Sequence, residues 1–292
     1  MKSQVRPQLP EENIRPVTSE MRISETIAAY RNYLSASGLS EHTVYNYPND
    51  IDKLGHHLKD IVLCDITVQD LRNFIAHLRK TGEKPKSVER RISAIKNYFK
   101  WLVADRVITA NPGAELLYTR AIPPLPDILN KKERDQFLLT ASKNPRDYVL
   151  ALILFEAGPK RNELSLITVD DVSVENQYRP TVRLARGDRY RDRTMILPQE
   201  FVPAYREYID RYGVRNRLFD YSESGIKKFL AILTTASGIS KSVSCQVARD
   251  TFAASRLSDG VPMETVLKML GLAPSSVRVE TTDKLARLAA LY

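Results

Sequence analysis

The stretch Ala121-Ile122-Pro123-Pro124-Leu125-Pro126-Asp127 sets three prolines close together near the middle of a 292-residue chain. Proline fixes φ and removes a backbone donor, so helices stop there and the chain stiffens into a linker. A Pro-rich linker over 119–128 is therefore predicted. At about 150 residues per domain, the length accommodates one domain on each side.

Upstream of the linker the apolar residues recur at steps of three and four, the period of an amphipathic helix. Ile27, Tyr30 and Leu34 form one stripe, and Val44, Tyr47, Ile51, Leu54 and Leu58 a second. Val68, Leu71, Ile75 and Leu78 form a third, preceded by Thr67 and Asp70 in an acidic variant of the capping box. Val88, Ile92, Ile95, Phe99 and Leu102 form the fourth, with Ser87 as its expected N-cap. These stripes predict four helices within a domain over 22–118. Residues 1–21 are polar, carry Pro7, Pro10 and Pro16, and are expected to form a flexible arm.

Downstream, Asn130 and Glu133 form a capping pair, and a Leu-, Ile- and Phe-rich helix is expected from Pro145. Over 181–198 the period changes to two: Val182 and Leu184, a charged turn, then Met195 and Leu197. That pattern predicts a small antiparallel sheet. Helical patterning resumes near Phe201, Ser224, Cys245 and Pro262. A mainly α architecture follows, with an α+β second domain over 129–292.

Composition narrows the function. Lys and Arg total 44 against 35 Asp and Glu, a net charge of +9 with a pI near 9.4. Such a balance favours a polyanionic partner. The longest apolar run, Tyr148 to Phe155, falls short of the roughly 18 residues that span a bilayer. The first residues lack the apolar core of a signal peptide. A cytoplasmic protein is expected. Cys64 and Cys245 stand far apart without a CxxC, so neither a disulfide framework nor a thiolate zinc site is expected. Adjacent His56 and His57 read as solvated, and no metal or other cofactor is expected.

Several short motifs resemble those of the tyrosine recombinase (phage integrase) family. Gly38-Leu39-Ser40, Thr43, Tyr47 and Asn111-Pro112 fall where its SAM-like core-binding domain expects them. Ala157-Gly158-Pro159-Lys160-Arg161-Asn162-Glu163-Leu164 resembles the family's T-G-L-R-x-S-E-L. Arg249-Asp250-Thr251-Phe252-Ala253 resembles R-H-T-F-A, Leu270-Gly271 the start of L-G-H, and Thr281-Thr282 the pair before the nucleophile. Together these cover residues 22–290. The resemblance implies an integrase-type catalytic fold downstream of the linker.

Family members cut DNA by attack of a tyrosine oxygen on a phosphate, with two arginines gripping the nonbridging oxygens. Residue by residue, the first arginine falls at Lys160, which keeps charge but loses the fork. Arg161 beside it is expected to point elsewhere. The hairpin lysine falls at Arg186, with Arg189 and Arg191 nearby, and an arginine is a poor general acid. The family's first histidine falls at Gln246, its L-G-H histidine at Leu272, and its nucleophile at Leu285. Arg249 is the second arginine, retained. The four histidines, His42, His56, His57 and His77, all precede the linker, so no realignment restores one downstream. Tyr292, seven residues past Leu285, is the other tyrosine to weigh. Glu163 is expected to be a buried partner for a helix end or an arginine, and Cys245 a small buried residue.

The resemblance also sets two basic clusters against the duplex: Lys80, Lys84, Lys86, Arg90 and Arg91, and the run 186–193. With Lys160 and Arg249 these make up the expected DNA contacts. The reading is a double-stranded-DNA-binding pseudoenzyme that has lost strand cleavage and serves as an architectural, regulatory or accessory recombination factor at the nucleoid. The 285–292 segment is apolar enough to engage a second copy or a partner recombinase, or to pack on its own domain. The alternative is an active divergent recombinase using Tyr292 or a tyrosine supplied in trans. A protein–protein adaptor with an incidental basic surface is the third reading.

Overall fold

The structure is a computed structural model that describes residues 16–118, 124–184, 192–274 and 277–292. The chain divides into two compact units, Met1–Pro123 and Pro124–Tyr292. The first half of the expected linker, 119–123, and all of Arg186, Arg189 and Arg191 lie outside the described residues.

The first unit holds α1 (Ile23–Ala36), α2 (Glu41–His57), α3 (Val68–Lys80) and α4 (Pro85–Ala104). Each apolar stripe faces one core, in which Tyr30, Leu34, Ile51, Leu54, Leu71, Ile75, Ile92, Ile95 and Phe99 are buried. Their burial removes apolar surface from water, which is the main force holding the four helices together. The Thr67–Asp70 box opens α3: Thr67 Oγ1 accepts from Asp70 N–H, and Asp70 accepts from Thr67 N–H at 2.9 Å. One start differs from expectation. α4 begins at Pro85, two residues before Ser87, with Lys84 at the cap position. Proline tolerates a first helical position because the donor it lacks has no intrahelical acceptor there.

The second unit holds α5 (Lys131–Ala141), α6 (Pro145–Ala157), α7 (Arg161–Leu164), β1 (Val172–Ser173), β2 (Thr181–Leu184), β3 (Arg193–Ile196), α8 (Phe201–Tyr212), α9 (Glu223–Ser237), α10 (Cys245–Ser258), α11 (Met263–Met269) and α12 (Val279–Ala289). The strands form one antiparallel sheet, β1-β2-β3, with Val182 opposite Met195 and Leu184 opposite Arg193. Val182, Leu184 and Met195 turn inward while Arg183 and Thr194 face water, the alternation that the two-residue period predicts. Asn130 and Glu133 cap α5 reciprocally at 2.8 and 2.9 Å. α6 and α10 carry the centre of the core: Leu150, Ile153, Leu154, Ala248 and Phe252 are each at most 1% exposed. No helix among the described residues is long and apolar enough to cross a membrane.

Candidate functional site

Two family-matching positions of the second unit, Lys160 and Arg249, come together where α6 ends against α10. α6 stops at Gly158, whose φ of +55° lies in the left-handed region that side chains disfavour. A Cβ there would stand 2.7 Å from Phe252 Cδ1, so only glycine lets the α6 terminus come this close to α10. That approach lets the Arg249 guanidinium reach across. Its Nη1 donates to Gly158 O at 2.5 Å and its Nη2 to Leu270 O. Arg249 is 5% exposed, and burial, followed by the like charge of Arg193, lowers its pKa to about 10. The group remains a cation at neutral pH.

Gly158 and Pro159 lead into Lys160, at the start of α7. Glu163 accepts from the Lys160 backbone N–H at 2.8 Å and from Arg193 Nη2 at 2.9 Å. It thus serves both a helix end and an arginine. Burial raises its pKa, but the Arg193 and Lys160 donors outweigh burial and hold the carboxyl below its ordinary value. Arg161 points away, exposed and paired with Glu223 at 2.9 Å.

Asp250 follows Arg249 and is also buried. Its Oδ1 accepts from Gln246 Nε2 at 3.0 Å and from Lys284 Nζ of α12 at 2.8 Å. Leu272 is half-buried against the core, and Leu285 is 2% exposed within it. Tyr292 packs with Leu288, Ala254 and Ile128 in a separate apolar cluster. Ala254 lies five residues beyond Arg249 on α10, about 7.5 Å along the axis and on another face. The 285–292 segment thus packs on its own unit, through Leu285 and Leu288.

The constellation gathers Lys160, Arg193, Arg249 and Lys284 around Glu163 and Asp250. It offers charge, and no histidine of the chain lies beyond the linker to add an imidazole to it. Burial pushes the nearby Cys245 thiol up to about 11, which leaves little thiolate at neutral pH. No group of three or more metal-ligating side chains occurs among the described residues.

Three arginines expected against DNA are paired with carboxylates of the fold. Arg91 is 3% exposed, with Nε on Asp50 at 3.2 Å and Nη1 on Glu83. Arg193, the last arginine of the hairpin run, is likewise a buried partner, for Glu163. Half-buried Arg90 also pairs with Asp50. In each case a carboxylate of the fold holds the guanidinium. The exposed cations of the first cluster are Lys80, Lys84 and Lys86, around the turn from α3 to α4.

Against this geometry, the profile described as "Phage integrase family" matches residues 127–279, over half of the chain. The chain belongs to the phage integrase family of tyrosine recombinases. The profile "Phage integrase, N-terminal SAM-like domain" matches residues 27–106 of the same chain. A tyrosine recombinase of Pseudothermotoga lettingae is 26% identical over 84% of this chain and 90% of its own length. The tyrosine recombinase XerD of Listeria innocua is 25% identical over 87% of this chain and 92% of its own. Among solved structures, a lambda integrase dimer bound to a COC' core site covers 89% of this chain and all of its own. It superposes with a TM-score of 0.70 at 15% identity, a likeness of fold.

Within this integrase fold, sequence reasoning missed the roles of Asp250 and Lys284. Asp250 stands inside the Arg249-Asp250-Thr251 motif and Lys284 directly before Leu285, but the pairing of residues 34 apart becomes visible only once α12 lies on α10.

Proposed function

We propose that this integrase-family chain binds duplex DNA without cutting it and acts as an architectural, regulatory or accessory recombination factor. One observation carries the loss of cleavage. The residue at the nucleophile's place, Leu285, offers only carbon and is buried in the core. No environment activates such a side chain toward phosphate. The supporting positions agree: Lys160 lacks the fork, and Gln246 and Leu272 carry no titrating proton. Tyr292, the rival nucleophile, packs against Leu288 and Ala254 instead.

Binding rests on charge. The net charge of +9, the three exposed lysines at the α3–α4 turn and the hairpin arginines Arg186, Arg189 and Arg191 suit phosphate neutralisation. In the second unit we assign phosphate contact to Lys160 and to Arg249, whose guanidinium also donates to the Gly158 and Leu270 carbonyls. The recombinase relatives and DNA-bound neighbours of the same fold support duplex DNA as the polyanion. A cytoplasmic, nucleoid-associated place follows from this role. The test is a binding titration in a salt series, run beside a covalent-trapping assay. Salt-sensitive binding with no trapped adduct is expected, whereas an adduct from the unaltered chain overturns the reading.

A further inference from the structure

Asp250 is a buried carboxylate in a site read as binding phosphate, and the proposed function leaves it unexplained. It adjoins Arg249 in sequence and is 3% exposed. Both of its donors, Gln246 Nε2 and Lys284 Nζ, bond Oδ1, while Oδ2 is buried without a hydrogen-bond partner. An orphaned carboxylate oxygen in the interior costs free energy, so it needs a reason to be there. Its carboxylate also opposes any second anion brought to the neighbouring guanidinium.

Lys284 supplies the reason. Its side chain keeps about a third of its surface in water, whereas that of Asp250 is 5% exposed. The ammonium therefore stands at the rim of the site and the carboxylate beneath it. A lysine ammonium on a flexible stem can change partners, unlike a carboxylate fixed on a packed helix. The Asp250 bond now holds the cation that an incoming phosphate would meet beside Arg249.

We propose that Asp250 is a built-in competitor for DNA phosphate: phosphate entry exchanges the Lys284–Asp250 pair for a Lys284–phosphate pair. This deepens the DNA-binding reading and rests on it. In the closed state the carboxylate neutralises the rim and anchors α12 to α10. In the DNA-bound state Lys284 joins Arg249 and Lys160 on the phosphate. Gln246 stays on Asp250 in both states. Affinity for duplex DNA is thereby held below what the site's cations alone would give.

The test is a titration of a fluorescent duplex with the full chain and two variants, across a salt series. Asp250→Asn keeps the shape and removes the competing charge. It is expected to tighten binding on the order of tenfold at low salt, as for a unit charge removed from beside a phosphate. Lys284→Gln is expected to weaken binding and to reduce the salt slope by about 0.9, the share of one phosphate contact. A purely structural ion pair gives a different result: both variants lower thermal stability and neither changes affinity or slope. That result overturns the exchange. Should Asp250→Asn fail to fold, Lys284→Gln, altered at the rim, decides alone by its slope. An unaltered chain that binds no duplex removes the DNA reading itself, whereas unaltered binding with unresponsive variants removes only the exchange.

Discussion

At the scale of single residues, each unit holds a buried ion pair that a charge count does not separate from surface cations. Glu163 sits between the Lys160 backbone and Arg193 with its pKa held below the ordinary value. A carboxyl depressed in the folded state adds stability above its unfolded pKa, near 4.3, and loses it as pH falls through the folded value. Unfolding in urea at stepped pH is expected to show stability falling below roughly pH 5, with a shallower fall in Glu163→Gln. Arg91 makes a parallel case in the first unit. Arg91→Ala leaves Asp50 with Arg90 alone and Glu83 without its guanidinium, and is expected to cost about 1–3 kcal/mol in a denaturant titration. Loss of DNA affinity at unchanged stability would instead place Arg91 on the binding surface. Neither pair was legible in the sequence. Arg91 and Arg193 stand in runs of cations and read as surface charge, and only the fold shows the carboxylates waiting behind them.

At the scale of elements, the helices were legible wherever one periodic stripe met one cap. Thr67 with Asp70 and Asn130 with Glu133 open their helices as read, because capping is local chemistry. The start of α4 was missed because Pro85 settles the first turn before Ser87 can act. The contact between α6 and α10 was not legible either. It depends on Gly158 lacking a side chain opposite Phe252, a match between residues 94 apart. Gly158→Ala is expected to lower the thermal midpoint and to weaken DNA binding, because it displaces the backbone that leads to Lys160. A variant of unchanged stability and affinity would remove Gly158 from the account. α12 is held by Leu285, by Leu288 and by the Lys284–Asp250 pair. Leu288→Ala is expected to cost about 2–5 kcal/mol and to expose the α12 amides to hydrogen exchange. Unchanged protection there would show that α12 is held by other contacts.

At the scale of the whole molecule, the order of motifs along the chain carried the family, since the 27–106 and 127–279 matches span the same two halves as the resemblance. On the proposed alignment, Lys160, Gln246 and Leu285 stand where strand cleavage needs a fork, an imidazole and a phenol. General acid–base help is worth about 10²–10⁴ in rate, so a tyrosine restored at Leu285 alone is expected to give no normal activity. Replacing Lys80, Lys84 and Lys86 together with alanine is expected to lower the salt slope of duplex binding by about 2–3, at 0.9 per phosphate lost. An unchanged slope would remove those lysines from the DNA. The central claim, binding without cleavage, is tested most directly by incubating the unaltered chain with a nicked or phosphorothiolate duplex and resolving the products on a denaturing gel. The account predicts free DNA only. A protease-sensitive, slower-migrating adduct would contradict it, and loss of that adduct in Tyr292→Phe would name the nucleophile.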